Sequence, residues 1–417
     1  MKRRKFLQYA TLFGATTLIP IGAQGWLASN FAQNSPQKNL IVIMLRGGMD
    51  GLNVVVPYQE ADYYEARPLI AIPATGEGRV LDLDGFFGLH PALEDLMPLW
   101  EGKTLAFVQG CGYRNNTRSH FDAQDYLESG TPGVKDTPDG WLNRLLAQLP
   151  EDGVTQALNF SQRTPRIFSG STLIVNQPLG RGASRPLPVD RPPIAAAFDR
   201  LYSGTDPLSL AYAEGRKARE ILLKDLQAEM EESSQDSPPA KGFKADAGKI
   251  ARFIQGNADT QIAFLSFGGW DTHVNQGSSQ GQFARRLREL GEGLSTLVQE
   301  LGSDYEDTVI LVMSEFGRTV AENGNGGTDH GQGNLVWLLG GGVCGGKIYG
   351  KWSGLDPSQL YQGRDLPVTT DFRDAIAPIL TSHLQLNPSQ LSRIFPDYNV
   401  EKGRDIPWNV STLVIGH

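Results

Sequence analysis

Five apolar runs, each closing on glycine, constrain this chain more than any other feature. Residues 39–48, NLIVIMLRGG, lack the alternation of a half-exposed strand, so they suit a strand buried on both faces of a mainly parallel sheet. TLAFVQG (104–110), TQIAFLSFGG (260–269), TVILVMSEFG (308–317) and NLVWLLGGG (334–342) repeat the style. Helical patterns lie between them, PALEDLMPLW (91–100), WLNRLLAQL (141–149), FARRLRELGEGLSTLVQEL (283–301) and DFRDAIAPILTSHL (371–384). This alternation predicts an α/β fold, a mainly parallel central sheet flanked by helices on both faces. Similar strand-plus-motif units stand on both sides of residue 236, so one domain over 33–417 is expected. An irregular cap is expected as an insertion near 150–245, with a long amphipathic helix over 205–230 and a polar loop after it.

The N-terminus reads MKRRKFLQ, then YATLFGATTLIPIGAQGWLA. Paired Arg3 and Arg4 ahead of a weakly apolar stretch, with no acidic residue before Asp50, predict a twin-arginine signal peptide over 1–32. Gly14, Pro20 and Gly22 interrupt the stretch, which falls short of the ~20 apolar residues of a span. Small residues near Ala23, Ala28 and Ala32 offer cleavage points. The expected partner is therefore the twin-arginine export machinery, the expected location periplasmic or secreted, with no stable membrane span after cleavage. Loss of Lys2, Arg3, Arg4 and Lys5 takes the net charge from -8 to about -12. Such a surface argues against nucleic acid as a partner. Cys111 and Cys344 are the two cysteines, and outside the cytoplasm they are expected to form one disulfide, two buried free thiols being the alternative.

Ligands of open α/β sheets bind beyond the carboxyl ends of the strands. The segments that follow each run here carry Asp50 (RGGMDGLN), Thr117, Arg118, Ser119 and His120 (YRNNTRSHFD), Asp271 and His273 (GGWDTHVNQ), and Glu315 and Arg318 (SEFGRT). Asp329 and His330 (GGTDHGQG) stand just before the last run. Half of the six histidines sit in these loops beside acidic residues, the donor set of zinc or manganese rather than calcium. His120 reads either as a hydrogen-bonding residue of its loop or as packing for Phe121. His90 (FGLHPAL) reads as a helix-entry residue, and His383, within an amphipathic helix, as ordinary surface. Gly324, Gly326 and Gly327 read as an anion cradle or as close packing.

The motifs GGMDGLNVVVPY, RSHFDAQD, WDTHVNQ, SEFGRTVAENGNGGTDHGQG and GGGVCGGKIYG resemble those of an exported bacterial family, domain of unknown function 1501. That family is in turn similar to the alkaline phosphatase and sulfatase superfamily. The resemblance implies an alkaline-phosphatase-like fold with one or two divalent ions. It places Asp50 where the superfamily's first-strand Asp binds one metal, and Ser119 in the nucleophile loop, with Thr117 the alternative. Asp271, His273 and His330 would hold one ion. Glu315 would serve a weaker second position, where Phe316 stands in place of an imidazole. Arg118 or Arg318 would clamp developing charge. The expected function is an exported metal-dependent hydrolase of phosphate or sulfate esters, acting on a small-molecule or carbohydrate ester. The alternative is a non-catalytic exported binding or scaffold protein that keeps a degenerate metal site.

Overall fold

All five apolar runs become strands of a single sheet: β1 (Asn39–Leu45), β5 (Leu105–Gly112), β8 (Ile262–Phe267), β9 (Thr308–Ser314) and β10 (Asn334–Gly340). The structure, a computed structural model, describes residues 37–114, 117–150, 157–161, 163–177, 192–213, 216, 242–256 and 260–398. The expected signal peptide, the end of the helix expected to reach residue 230, and nearly all of the loop after it lie outside these residues.

The shorter strands β6 (Ala157–Asn159), β7 (Val175–Asn176), β11 (Lys347–Tyr349) and β12 (Thr370–Asp371) complete the sheet, in the order β11-β5-β10-β9-β1-β8-β6-β7, with β12 also on β5. Part of the region expected to form a cap thus adds two strands to a sheet edge. Every pairing is parallel except those of β10, which runs antiparallel to both β5 and β9. A separate antiparallel ribbon joins β2 (Val55–Val56), β4 (Gly88–Leu89) and β3 (Leu81–Asp82).

Period-two geometry sends alternate residues of β1 to opposite faces. Leu40, Val42 and Met44 enter a core built with Leu127, Trp141, Phe372, Ile376 and Phe395. Ile41, Ile43 and Leu45 enter another with Ile250, Phe283, Leu287, Leu290 and Leu294. Helix Gln282–Leu301 shows why it lies against the sheet: Phe283, Leu287, Leu290, Leu294, Leu297 and Leu301, at three- and four-residue steps, are all buried. Each such side chain contributes about 1.5–3 kcal/mol by leaving water. Among the described residues, no helix is long and apolar enough to cross a membrane.

The direction of β10 overturns the disulfide. Cys111 ends β5 opposite Asn334, whereas Leu339, near the other end of β10, pairs with Leu105. Cys344 follows β10 and lies on the Lys103–Leu105 side, where Gly345 donates to the Lys103 carbonyl. Six residues of strand, at roughly 3.3 Å each, therefore separate the cysteines by about 20 Å, whereas a disulfide needs Cα atoms within ~7 Å. Both thiols are free.

His383 also departs from expectation. It is only 2% exposed, and its Nε2 donates to the Asn39 carbonyl at 2.9 Å. The helix that carries it closes over the start of β1. His90 does cap its helical turn, Nδ1 accepting from Ala92 N at 3.0 Å.

A candidate metal centre at the carboxyl edge of the sheet

Because β1, β5, β8 and β9 run the same way, their carboxyl ends share one edge, and the antiparallel β10 brings its amino end there too. This is why His330, which precedes its strand, meets residues that follow theirs. Two glycines let the loops close. Gly47 has φ 121°, and a Cβ on it would stand 2.5 Å from Asp271 N; Gly48 has φ 63°, and a Cβ there would meet the Phe316 ring at 2.5 Å. Gly327 serves close packing, since its Cβ would lie 2.4 Å from the Thr272 carbonyl oxygen, while Gly324 faces open space.

Three imidazoles and one carboxylate converge. His273 Nε2 is 2.9 Å from His330 Nε2 and 3.0 Å from Asp271 Oδ1. His330 Nε2 is 3.5 Å from that same oxygen, and His120 Nε2 is 3.4 Å from Asp271 Oδ2. One donor atom each from His120, Asp271 and His330 lie within 4.8 Å of one another. The opposite ring nitrogens are all anchored: His120 Nδ1 on Glu315 Oε1 at 2.8 Å, His273 Nδ1 on Asp329 Oδ1 at 3.1 Å, and His330 Nδ1 on the Arg118 carbonyl at 2.6 Å. Carboxylates and carbonyls only accept, so each Nδ1 donates and a neutral ring keeps its lone pair on Nε2. His120 Nε2 is buried without a hydrogen-bond partner, and the Nε2 atoms of His273 and His330 lie 2.9 Å apart, so that two neutral rings would set lone pair against lone pair. A divalent cation held there would satisfy these nitrogens, and imidazole with carboxylate is a donor set that fits one.

Burial opposes ionisation of Asp271, but Arg318, His273 and His120 together hold its carboxyl below the usual carboxylate range. Glu315 behaves likewise, with burial outweighed by hydrogen bonds from His120, Gln124 and the Gly47 amide. Asp329 is held low chiefly by Asn323. The Glu315 hydrogen bond raises the pKa of His120, whereas burial lowers that of His330.

The other expected site residues are placed differently. Asp50 is buried and takes Arg67 Nη1 at 2.7 Å and Gln276 Nε2 at 2.6 Å on Oδ2, so its partners are an internal cation and an amide. Glu315 sits behind His120 as a hydrogen-bond acceptor, and Asp329 does the same for His273. Arg318 is fully buried, donating to Asp271 Oδ1 at 2.5 Å and to the carbonyls of Gly47, Gly48, Trp270 and Thr328, which ties three loops together. Phe316 packs its ring 4.7 Å from His120 and 4.9 Å from His330, as the floor of the cluster. Ser119 is exposed and caps helix His120–Ser129, accepting from Asp122 N at 3.4 Å. Thr117 Oγ1 accepts from Ser119 N at 3.2 Å, and Arg118 pairs with Asp365 at 2.9 Å.

Sequence reasoning did not include His120 in the ligand set and passed over Gln124 and Arg46. The available signal was spacing: His120, Gln124 and Glu128 recur every four residues along one helix face.

The crystal structure of Ps i-CgsB in complex with k-i-k-neocarrahexaose is similar at 11% identity and TM-score 0.37, over 85% of this chain and 74% of that chain. The C-terminal periplasmic domain of EcEptC from Escherichia coli, in complex with Zn, has 11% identity and TM-score 0.34 over 74% and 73%. The phosphonate monoester hydrolase of Agrobacterium radiobacter has 11% identity and TM-score 0.35 over 87% and 78%. No curated protein matches. The model of one family, described as protein of unknown function (DUF1501), matches residues 37–395, and the chain belongs to that family.

Proposed function

We propose that the cluster holds one divalent ion, zinc or manganese, on Asp271, His273, His330 and His120, and that the protein hydrolyses phosphate or sulfate esters there. The observation that carries this reading is the set of three imidazoles whose Nδ1 atoms are all anchored while their Nε2 atoms converge on one carboxylate. When bound, such an ion supplies Lewis acidity towards a tetrahedral oxyanion. The protein's own groups supply the rest. Ser119 is the preferred nucleophile: its hydroxyl is exposed and makes only a long capping bond, at the positive end of a ten-residue helix. Arg118, next to it, is the side chain that meets the ester's charge, because it stays exposed even while Nη2 pairs with Asp365, whereas Arg318 is fully buried on internal partners. Phe316 and the Arg67-bound Asp50 argue for one ion rather than two. The twin-arginine leader over 1–32 and a periplasmic or secreted location belong to the same proposal, on the strength of Arg3-Arg4.

Commitment of Arg318 to internal partners favours a second reading, a metal-holding binding protein without turnover. One set of measurements separates the two. Dialysed protein should retain one equivalent of metal, His273→Ala and His330→Ala should lose it, and Ser119→Ala should keep it while losing p-nitrophenyl phosphate or sulfate turnover. Metal retention by both histidine variants would remove the basis of the site. A metal-loaded protein that turns over neither ester would be the binding protein, and an active Ser119→Ala would pass the nucleophile's role to Thr117 or water.

A further inference from the structure

Behind the cluster runs a chain of side-chain hydrogen bonds that begins well outside it. Arg46, the first residue after β1, donates from Nη1 to Gln124 Oε1 at 2.6 Å and pairs with Glu128 Oε1 at 2.7 Å. Gln124 Nε2 donates to Glu315 Oε1 at 2.9 Å, and the same oxygen takes His120 Nδ1 at 2.8 Å and the Gly47 amide at 2.8 Å. The amide of Gln124 has one orientation here on chemical grounds. Guanidinium has only donors and an ionised carboxylate only acceptors, so the oxygen must face Arg46 and the NH2 must face Glu315. Were the amide reversed, two donors would meet at one end and two acceptors at the other.

We propose that Arg46 and Gln124 are positioning residues for the metal site: Arg46 fixes the amide of Gln124, Gln124 orients Glu315, and Glu315 takes the Nδ1 hydrogen of His120, so that His120 presents a bare Nε2 beside Asp271. The inference rests on the proposed metal site and names two residues of its support that touch no ligand atom's lone pair. His120 Nε2, buried and without a hydrogen-bond partner, is the end the relay serves. Helix geometry makes the device compact, since His120, Gln124 and Glu128 stand one above another on a single face, and Arg46 is gripped between the last two. Glu128 also accepts Ile167 N at 2.9 Å, which anchors that end to the neighbouring segment.

Because the relay acts in series, its members should not contribute independently. Zn2+ affinity, read by chelator competition on the full folded chain, should fall by about 10-fold in Gln124→Met and in Arg46→Met, the low end of what outer residues of metal sites cost. The double variant should be no weaker than Gln124→Met alone. Arg46→Lys, which keeps a donor for Gln124, should restore most of the loss. The Co2+ absorption bands should shift in both methionine variants and return in Arg46→Lys, a signature that simple loss of stability would not reproduce. Circular dichroism checks folding, and if Gln124→Met does not fold, the Arg46→Met and Arg46→Lys pair carries the test. Wild-type affinity and bands in both methionine variants, or an additive double variant, would overturn the relay. That failure differs from failure of the site itself, which would appear as unchanged Zn2+ binding in His330→Ala.

Discussion

His90 and His383 are both shut away from solvent, each with Nε2 on a backbone carbonyl, and burial pushes the pKa of each down to about 4. An unfolded chain takes up these protons near pH 6.5, so between about 6.5 and 4 it binds more protons than the folded one, and stability falls as pH falls. Each site should cost up to ~3 kcal/mol over that window, and His383→Gln, which keeps a donor for Asn39, should remove its share. Urea unfolding at pH 7, 5.5 and 4.5 tests this, and equal pH slopes in the variant and wild type would refute it. Legibility at this scale depended on how far each partner lay along the chain. His90 was readable because its role is local, two residues from the amide it caps. His383 was not, because its partner, Asn39, is at the other end of the chain. Asp50 shows the same limit. The run and the loop that carry it do not signal that the fold brings Arg67 onto its Oδ2, with Asn53 and two carbonyls completing that guanidinium's partners.

Apolar runs revealed the strands at the centre of the sheet because burial on both faces leaves no alternation, and three- and four-residue spacing revealed helix Gln282–Leu301. Strand direction was not written there: an apolar run reads the same for either sense, and only long-range pairing makes β10 antiparallel. That one reversal had opposite consequences, bringing His330 to the cluster and carrying Cys344 away from Cys111. The thiols should therefore react as two distinct sites. Cys111 is buried, and burial pushes its thiol well above the usual range, whereas Cys344 is partly exposed. Mass spectrometry after brief iodoacetamide treatment should show one label on the folded protein, at Cys344, and two on the denatured, unreduced protein. No label on the denatured protein would restore the disulfide. The cluster was partly legible for a related reason. Its acidic and histidine residues stood at strand ends, but His120 belongs to the first turn of a helix whose approach to Asp271 depends on packing between elements.

At the scale of the whole molecule, the cluster closes the sheet edge with residues from distant parts of the chain. His120 begins a helix after β5, Asp271 and His273 follow β8, and His330 precedes β10, so an ion there ties together loops that the backbone connects only through long excursions. No such arrangement survives unfolding, and an ion that binds only the folded state must stabilise it by mass action. At free metal 100 times the dissociation constant the gain is about 2.7 kcal/mol, which for a chain of this size raises the melting temperature by about 3 °C. Each further tenfold rise in free metal adds about 1.4 kcal/mol, so the midpoint should climb linearly with the logarithm of metal concentration. EDTA should return the protein to its lowest midpoint. His330→Ala should flatten the response, because it removes one converging nitrogen and also the bond from Nδ1 to the Arg118 carbonyl that holds the helix-entry loop. A mere surface effect of metal on an acidic protein would raise or lower wild type and His330→Ala alike. Parallel responses in the two proteins would therefore exclude the cluster as the ion's seat, whereas a log-linear rise confined to wild type would locate the ion among these histidines.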